Sequence, residues 1–499
     1  MFVLCRLIPR AIRKRRGAAN GNPSAPRNAA DTQGSSPDPA AGYHIYALSE
    51  GSSTPVGANN DAQKSPFNLN VICASQAQLP EDSPLLARFL LDPPSSASSH
   101  LLRSSTTEKH VVVSTRSGLC LAEGFYKRVL APLLAAVGLS EADYRLTVTR
   151  DKNTIRDLAR GLAGNSAGDG EKLVVLLSGD GGVVDMLNGL DHARDQAGHS
   201  STTPLPPRPP TIALLPLGTG NALFHSLHKP HYSASPAPSP LVLALRTLFS
   251  GRPAPLPTFR ATFSPGARLV AGHAPPPSSS PQAQEQSQSS DSQGQPVTHL
   301  VGAIVASYGF HASIVWESDT PAYRVHGDKR FGMAAAELLK IAHAYDAQVK
   351  VRVPGEGGGN SFAPLRSITS SDDDDGRFSY ILATMVSNLE KTFTISPGSR
   401  PLDGRLRLVH FGHVSGEKTM EIMQAAYKDG AHVGMEEVGY EEVEEVKVTI
   451  AEEDARWRKV CIDGSIVEIE RGGWMAVAKE PTETVRVLVD DSVTSAAGV

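Results

Sequence analysis

Residues 173–190 read LVVLLSGDGGVVDMLNGL and carry the pattern that decides the fold. The aliphatic run at their start predicts a buried strand, SGDGG predicts a tight turn, and VVDMLNGL has the apolar spacing of a helix. A second unit of the same kind, TIALLPLGTGNALFHSL, follows at 211–227. Strands that alternate with helices predict a parallel sheet covered on both faces. We therefore predict an α/β domain built on a parallel sheet.

The two glycine-rich turns each follow a predicted strand and precede a predicted helix. In parallel α/β sheets, ligands bind beyond the carboxyl ends of the strands, where these turns lie. Glycine lets the backbone approach a polyphosphate, and a helix N-terminus adds free N–H donors. One such turn is a common connection, whereas two on neighbouring units favour nucleotide binding. Asp180 in the first turn can take a hydroxyl proton or hold Mg²⁺ through water.

From about residue 259 the pattern changes to strands, with helical spacing only at 328–343 and 415–428. This change predicts a second, β-rich domain, interrupted by two low-complexity stretches that predict mobile surface insertions. The predicted organisation is a disordered basic tail at 1–42, an extension of unassigned role at 43–107 with strand-like runs at 43–48 and 67–74, the α/β domain at 108–256, the β-rich domain at 257–480 with insertions at 265–296 and 355–376, and a tail at 481–499.

Composition limits the possible partners. The formal net charge of the 499 residues is −4, and Lys and Arg are spread out apart from one N-terminal cluster, which argues against a nucleic-acid partner. The 4 cysteines lie far apart, without metal-ligand or disulfide spacing, which favours a reducing, cytoplasmic setting. No run approaches the roughly 20 apolar residues that cross a bilayer.

Several motifs in order resemble the diacylglycerol kinase catalytic-domain superfamily, which includes sphingosine and ceramide kinases. SGDGGVVDMLNGL and LPLGTGNALFHSL resemble its two glycine-rich segments. Downstream, SYGFHASIVWES, AYRVHGDKRFG, ISPGSRPLDGRLRLVHF and CIDGSIVE are similar to later family segments, so that the resemblance covers roughly 111–478. It implies a sandwich-like, lipid-binding β-rich domain and an active site in the cleft between the two domains.

Carried over position by position, the resemblance implies Asp180 as the general base for a lipid hydroxyl, with ATP and Mg²⁺ as cofactors. Asp463 joins Asp180 as a metal partner through water, and Ser313 and Trp316 belong to the lipid pocket. The residues expected at the ATP phosphates and nucleotide are Ser117, Gly118, Thr149, Ser178, Gly179, Gly181, Gly218, Thr219, Gly220, Asn221, Arg324 and Arg330.

The chain also departs from the family pattern. Ser114 and Thr115 replace the Asn-Pro of the first loop, and Ser465 replaces the acid of the closing Asp-Gly-Glu motif. Ser313 and Val315 stand where sphingosine kinases have aspartates associated with the amine of the sphingosine head group. These last two changes favour ceramide or diacylglycerol, which have no free amine.

The resulting hypothesis is an ATP-dependent lipid kinase of sphingolipid metabolism. A sphingoid base is the first-ranked substrate, because the downstream segments look most like sphingosine kinases. The alternatives are a ceramide or diacylglycerol kinase and a non-catalytic nucleotide- or lipid-binding relative. NAD kinase shares a similar first turn but lacks the LPLGTGN and Tyr-Arg segments. The expected location is the cytoplasm, with reversible contact to intracellular membranes through the basic N-terminus or apolar loops.

Overall fold

The structure is a computed structural model that describes residues 2–8, 42–51, 66–75, 77–80, 82–83, 104–164, 170–198, 208–233, 238–270, 294–327, 329–354, 362–365, 376–490 and 492–493. These residues fall into two compact units, one before residue 98 and one after it.

The strands, in chain order, are β1 Phe2–Ile8, β2 Gly42–Glu50, β3 Phe67–Ser75, β4 Glu108–Val113, β5 Arg145–Val148, β6 Lys172–Ser178, β7 Thr211–Pro216, β8 Arg252–Pro255, β9 Thr258–Phe263, β10 Arg268–Val270, β11 Gln295–Pro296, β12 His299–Gly302, β13 Val305–Gly309, β14 Tyr345–Arg352, β15 Ala363–Pro364, β16 Arg377–Thr384, β17 Leu406–Gly412, β18 Gly439–Val443, β19 Glu445–Ile450, β20 Lys459–Ile462, β21 Ser465–Glu468, β22 Trp474–Glu480 and β23 Arg486–Val489.

The helices are α1 Ala122–Phe125, which continues through the π-helical turn Tyr126–Leu130 into α2 Ala131–Ala136, then α3 Thr154–Gly164, α4 Asp180–Gly198, α5 Ala222–His228, α6 Pro240–Ser250, α7 Phe310–Glu317, α8 Pro321–Arg324, α9 Lys329–Ile341 and α10 Gly416–Ala426.

The first unit contains a three-stranded antiparallel sheet in the order β1–β2–β3. The strand-like runs at 43–48 and 67–74 are therefore strands. The prediction of a disordered tail at 1–42 is wrong at residues 2–8, because all seven of them pair with β2. Residues 9–41 lie outside the described part of the chain.

The parallel sheet of the second unit has the order β5–β4–β6–β7–β23–β8. Every residue of β6 is buried, as its uninterrupted aliphatic sequence requires of a strand covered on both faces. Residues 486–489 were predicted as part of a tail, but they pair in parallel with β7 and antiparallel with β8. Strand β23, the last strand among the described residues, therefore completes the parallel sheet.

A curled antiparallel sheet of 14 strands forms the rest of this unit and confirms the β-rich prediction. The two predicted helices correspond to α9 and α10, whereas α7 and α8 were not predicted. The run predicted as one strand at 299–307 is two strands, β12 and β13, which lie in different parts of the sheet. Within the predicted insertions, only β10, β11 and β15 lie in the described residues, which leave out 271–293, 355–361 and 366–375.

Helix α4 packs against the curled antiparallel sheet, called the second sheet below, and joins it to the parallel sheet. The side-chain amide of Asn188 donates to the carbonyl oxygen of Val301 at 3.0 Å and accepts from its N–H at 3.0 Å. One turn further on, the guanidinium of Arg260 lies 2.6 Å from Asp191. These contacts fix the position of the glycine-rich turn at the start of α4 relative to the second sheet.

Candidate active site

The two glycine-rich turns are in direct backbone contact. A methyl group at Gly218 would lie 2.3 Å from the Cα of Gly179, and one at Gly179 would lie 2.7 Å from the Cα of Gly218. Both distances are too short for non-bonded carbon atoms, so this approach requires glycine on each side. Parallel pairing of β6 with β7 aligns the ends of the two strands and thereby brings the turns together.

The first loop of the domain joins this cluster. The hydroxyl of Ser117 accepts a hydrogen bond from the N–H of Gly179 at 2.9 Å. A methyl group at Gly118, whose φ is +52°, would lie 2.6 Å from the carbonyl oxygen of Leu217. Three turns from three parallel strands therefore meet at one edge of the sheet.

A cavity of about 1010 Å³ opens at this edge. Its lining includes most of the predicted phosphate-binding residues, namely Ser117, Gly118, Gly179, Gly181, Gly218, Thr219, Gly220, Arg324 and Arg330, together with Asp180 and Asp463. The lining also includes apolar side chains from α7, α9, α10, β16 and the segment after β16, namely Phe310, Ile314, Phe331, Leu339, Tyr380, Phe393, Met420 and Met423. One cavity is thus lined both by the glycine-rich turns and by apolar side chains.

Asp180 is the first residue of α4 and lines this cavity. Its carboxylate accepts hydrogen bonds from the backbone N–H groups of Ala222 at 2.8 Å and Leu223 at 3.2 Å. It therefore caps the N-terminus of α5. Burial raises the pKa of this carboxyl, and the N–H donors of α5 oppose that rise. The N–H of Asn221 also donates to this carboxylate, and with three donors for four lone pairs one lone pair is left for another partner.

Asp463 has a different environment. It follows β20 with φ of +47° and is buried. Its carboxylate accepts from the N–H groups of Ala303 at 2.7 Å, Ile304 at 3.1 Å and Val305 at 2.6 Å. These bonds satisfy the backbone N–H groups at the break between β12 and β13. They explain why the run predicted as one strand forms two strands. Burial raises the pKa of Asp463 to about 7, with a further contribution from the negative charge of Asp180.

The two predicted arginines are held by Asp319, which the sequence analysis missed. Arg324 binds both carboxylate oxygens, at 2.9 and 2.8 Å, and Arg330 lies 3.2 Å from the first of them. All three side chains line the cavity. A carboxylate between two guanidinium groups reduces their mutual repulsion, so both cations can face the same ligand site. Asp319 could not be recognised from the motif because its partners come from two later helices.

Five predicted site residues do not line the main cavity. Thr149 bonds to the N–H of Thr115 at 3.0 Å, and Asn221 holds the second turn through both the N–H and the carbonyl of Gly218. Ser178 is buried beside Gly182. Ser313 accepts a hydrogen bond from the hydroxyl of Tyr345 at 2.7 Å. Trp316 lines a smaller neighbouring cavity of about 320 Å³.

The donor set near the turns suits Mg²⁺ carried by a polyphosphate. The Asp180 carboxylate has one lone pair left by its three backbone donors, and a magnesium ion held through water and substrate phosphates needs only one or two carboxylates. Both oxygens of Asp463 are already used by backbone N–H groups. Asp180 therefore fits the ion better than Asp463 does. Of the two metal partners that the resemblance implied, Asp180 is the one that this geometry favours.

A second group of possible metal ligands lies elsewhere. Asp191, Asp195 and His299 are the one set of such side chains, among the described residues, close enough together to share an ion. Asp191 is 11 positions beyond Asp180 on α4, about 16 Å away at helical rise. It already pairs with Arg260 at 2.6 Å and His299 at 2.8 Å. These salt bridges between α4 and the second sheet explain why the three side chains lie together.

No helix in the described part of the chain has the length and apolar character needed to span a membrane. Three large side chains that line the cavity are also exposed. Val325, Met420 and Tyr427 line the cavity and are 65%, 37% and 53% exposed.

Comparison with known proteins identifies the first part of this unit. Residues 109–254 match the family model of the diacylglycerol kinase catalytic domain. A comparison with curated proteins found no match. Three solved structures from Bacillus anthracis str. Sterne are similar. Two, named as candidate diacylglycerol kinases, have 13% identity, cover 77% of this chain and 96% and 98% of theirs, and give TM-scores of 0.48 and 0.44. The third, named as a diacylglycerol kinase, has 11% identity, coverage of 77% and 98%, and a TM-score of 0.42. The chain therefore carries, at residues 109–254, a catalytic domain of the diacylglycerol kinase superfamily.

Proposed function

We propose that the protein is an ATP-dependent lipid kinase that transfers the γ-phosphoryl group of ATP to a hydroxyl group of a membrane lipid. The observation that carries this proposal is that Asp180, the touching glycine-rich turns and a set of apolar side chains line one cavity. The turns suit a triphosphate, and the apolar side chains suit a lipid tail. In this proposal the reacting groups of the two meet at Asp180.

In this proposal Asp180 accepts the proton of the acceptor hydroxyl as the oxygen attacks phosphorus. The N–H groups of α5 hold its carboxylate in position. Backbone N–H groups of the turns and the guanidinium groups of Arg324 and Arg330 bind the phosphoryl oxygens and offset their charge. Mg²⁺, when bound with ATP, supplies further charge neutralisation. Catalysis of this kind depends on positioning and charge more than on covalent chemistry.

The hypotheses of a sphingoid base kinase, a ceramide kinase and a diacylglycerol kinase differ only in the lipid that supplies the acceptor hydroxyl. Resemblance to sphingosine kinases ranked the sphingoid base first. The bond between Ser313 and Tyr345 weakens that ranking, because the hydroxyl at this position is used inside the protein.

A radiolabelled ATP assay with sphingosine, ceramide and diacylglycerol in mixed micelles tests the proposal. Labelling of no lipid, with ATP binding retained, would instead support a non-catalytic relative. Labelling of NAD alone would support the NAD kinase reading.

We expect the turnover number to fall on acidification at a higher pH than the titration of an ordinary aspartate would produce. The proposed base must be ionised to accept a proton, and burial raises the pKa of Asp180. Below that raised pKa the carboxyl is protonated, and turnover should fall by about tenfold per pH unit. Initial rates at saturating ATP and lipid between pH 5 and 9 measure this. A turnover number that stays flat down to pH 5 would contradict it.

We also propose that the exposed apolar side chains at the cavity mouth insert into the membrane from which the lipid is taken. Introducing charge in the double variant Val325→Asp/Tyr427→Asp should weaken binding to phosphatidylcholine vesicles by at least about tenfold, because burying each apolar side chain contributes on the order of 1–2 kcal/mol. Vesicle co-sedimentation measures the partitioning. The control is Val148→Asp, which adds a charge at a valine of β5 that is 41% exposed and does not line the cavity. Equal loss in both variants would argue against this surface.

A further inference from the structure

Residues 319–327, called the strap below, lead from α7 towards α9 and contribute four residues to the lining of the main cavity, Asp319, Arg324, Val325 and Gly327. None of the strap residues is buried, whereas α7 and α9 on either side of it both have buried side chains. Helix α8 within the strap likewise has no buried residue. Segments with few buried contacts are the ones that rearrange most easily. The position of the strap can therefore respond to a ligand in the cavity.

Each end of the strap has a contact outside it. At its start, Asp319 binds Arg324 within the strap and lies 3.2 Å from Arg330 in α9. At its end, a methyl group at Gly327 would lie 3.5 Å from the side chain of Leu119, which is ordinary van der Waals contact. Leu119 belongs to the first loop of the catalytic domain, the loop that also hydrogen-bonds to the glycine-rich turn after β6. The strap therefore lies against the group of loops proposed to bind the triphosphate.

Arg324 and Val325 are consecutive residues of the strap with different proposed partners. The side chain of Arg324 is 56% exposed and is proposed to bind phosphoryl oxygens, whereas Val325 is 65% exposed and is proposed to insert into the membrane. A salt bridge to an exposed guanidinium contributes little stability in water, so Asp319 holds Arg324 only weakly. A triphosphate adds charge-assisted hydrogen bonds to Arg324. Because the two residues are joined by one peptide bond, fixing Arg324 also restricts Val325.

We infer that ATP orders the strap and thereby strengthens attachment of the protein to the membrane, so that nucleotide and membrane bind cooperatively. The inference rests on the proposed function, because it uses the ATP site and the membrane-inserting residues proposed there. Ordering the strap costs conformational entropy, and insertion of Val325 requires the same ordering. Once ATP has ordered the strap, the membrane binds without that cost. By thermodynamic linkage, the membrane then strengthens ATP binding by the same factor.

Vesicles of phosphatidylcholine separate binding from catalysis, because this lipid has no hydroxyl group to phosphorylate. We expect a saturating, non-hydrolysable ATP analogue with Mg²⁺ to lower the dissociation constant for these vesicles by about fivefold or more, as is typical of coupled sites. Vesicle co-sedimentation measures this ratio. Hydrogen exchange of the backbone amides at 319–327 should also slow when the analogue binds. Equal vesicle affinity with and without the analogue, whatever the exchange rates, would overturn the inference.

Arg324→Gln should remove the effect of the analogue and leave vesicle binding without nucleotide unchanged. Arg160→Gln is the matched control, because the side chain of Arg160 is 45% exposed and forms a salt bridge with Asp157 at 2.8 Å on α3. This control should keep the wild-type ratio. Loss of the ratio in both variants would overturn the inference, because the effect would then follow surface charge and not the strap.

Val325→Ser keeps Arg324 and decides the matter even if Arg324→Gln binds no nucleotide. It should bind the analogue as wild type does in solution, but vesicles should no longer tighten that binding. Tyr427→Ser changes an exposed cavity residue outside the strap. It should weaken vesicle binding and keep the wild-type ratio. A ratio that Val325→Ser leaves unchanged would overturn the role of the strap.

The outcomes separate this inference from the proposed function. If lipid is phosphorylated and the analogue does not alter vesicle binding, the inference fails and the kinase proposal stands. If analogue and vesicles bind cooperatively through Val325 but no lipid is phosphorylated, the kinase proposal fails. The inference then stands for a protein whose membrane attachment is controlled by nucleotide.

Discussion

Asp180→Asn is expected to lower the rate of lipid phosphorylation by about a thousandfold, the typical contribution of a positioned general base. The substitution keeps the size of the side chain and removes its ability to accept a proton. One amide oxygen can still accept a hydrogen bond from the N–H of Ala222 or Leu223, so the cap of α5 is partly kept. The loss should therefore appear in kcat, while the dissociation constant for ATP changes little.

Asp157→Asn is the matched control for this measurement. Its carboxylate is 63% exposed and, among the described residues, pairs with Arg160, one turn along α3. Phosphate transfer from radiolabelled ATP and binding of a fluorescent ATP analogue should both match wild type in this variant. If Asp180→Asn kept full activity, Asp180 would not be the base, and its carboxylate would serve only to cap α5.

Gly218→Ala should impair both ATP binding and the stability of the fold. The added methyl group would lie 2.3 Å from the Cα of Gly179, and neither atom belongs to a flexible side chain that could move away. The two turns must separate, which destabilises the domain by about 1–3 kcal/mol, as overpacking of a well-packed site does. We expect the dissociation constant for ATP to rise at least about tenfold, because the N–H donors of the two turns no longer converge.

Gly161→Ala provides the opposite expectation for the same chemical change. Gly161 lies within α3, and a methyl group there would contact nothing within 4 Å. Alanine is favoured over glycine in a helix interior by roughly 0.5–1 kcal/mol, so this variant should be slightly more stable than wild type. Thermal unfolding and ATP titration of both variants test the pair. Unchanged ATP binding in Gly218→Ala would show that contact between the turns is not needed for the nucleotide.

Much of the fold could be predicted from local sequence because its signals are local. The aliphatic run of β6, the SGDGG turn and the helix that follows it each depend on neighbouring residues, and all three are confirmed. The position of both turns at the carboxyl ends of parallel strands also followed from the alternation of strands and helices. The superfamily predicted from these segments is confirmed by the catalytic-domain match. The roles of individual site residues stay predictions.

The missed features depend on partners far away in the chain. Asp463 breaks the predicted strand at residues 303–304 from about 160 positions away, and nothing near that break marks it. The bond between Ser313 and Tyr345 and the two arginines on Asp319 were likewise invisible to motif comparison. Helix α7 is only eight residues long and follows β13 without a loop, so its sequence contains little more than two turns in which a helical period could be recognised.

Strand β23 has a consequence for how the protein is made. The parallel sheet that carries the glycine-rich turns is complete only when residues 486–489 have inserted between β7 and β8. On the ribosome these residues emerge more than 200 positions after β8, since chains are synthesised from the N-terminus. The matched catalytic segment at 109–254 therefore remains an unfinished sheet with an unpaired edge until nearly the whole second unit has been translated. Nascent chains of this protein should depend on chaperones that cover that edge, and fragments cut after residue 254 should aggregate rather than bind ATP.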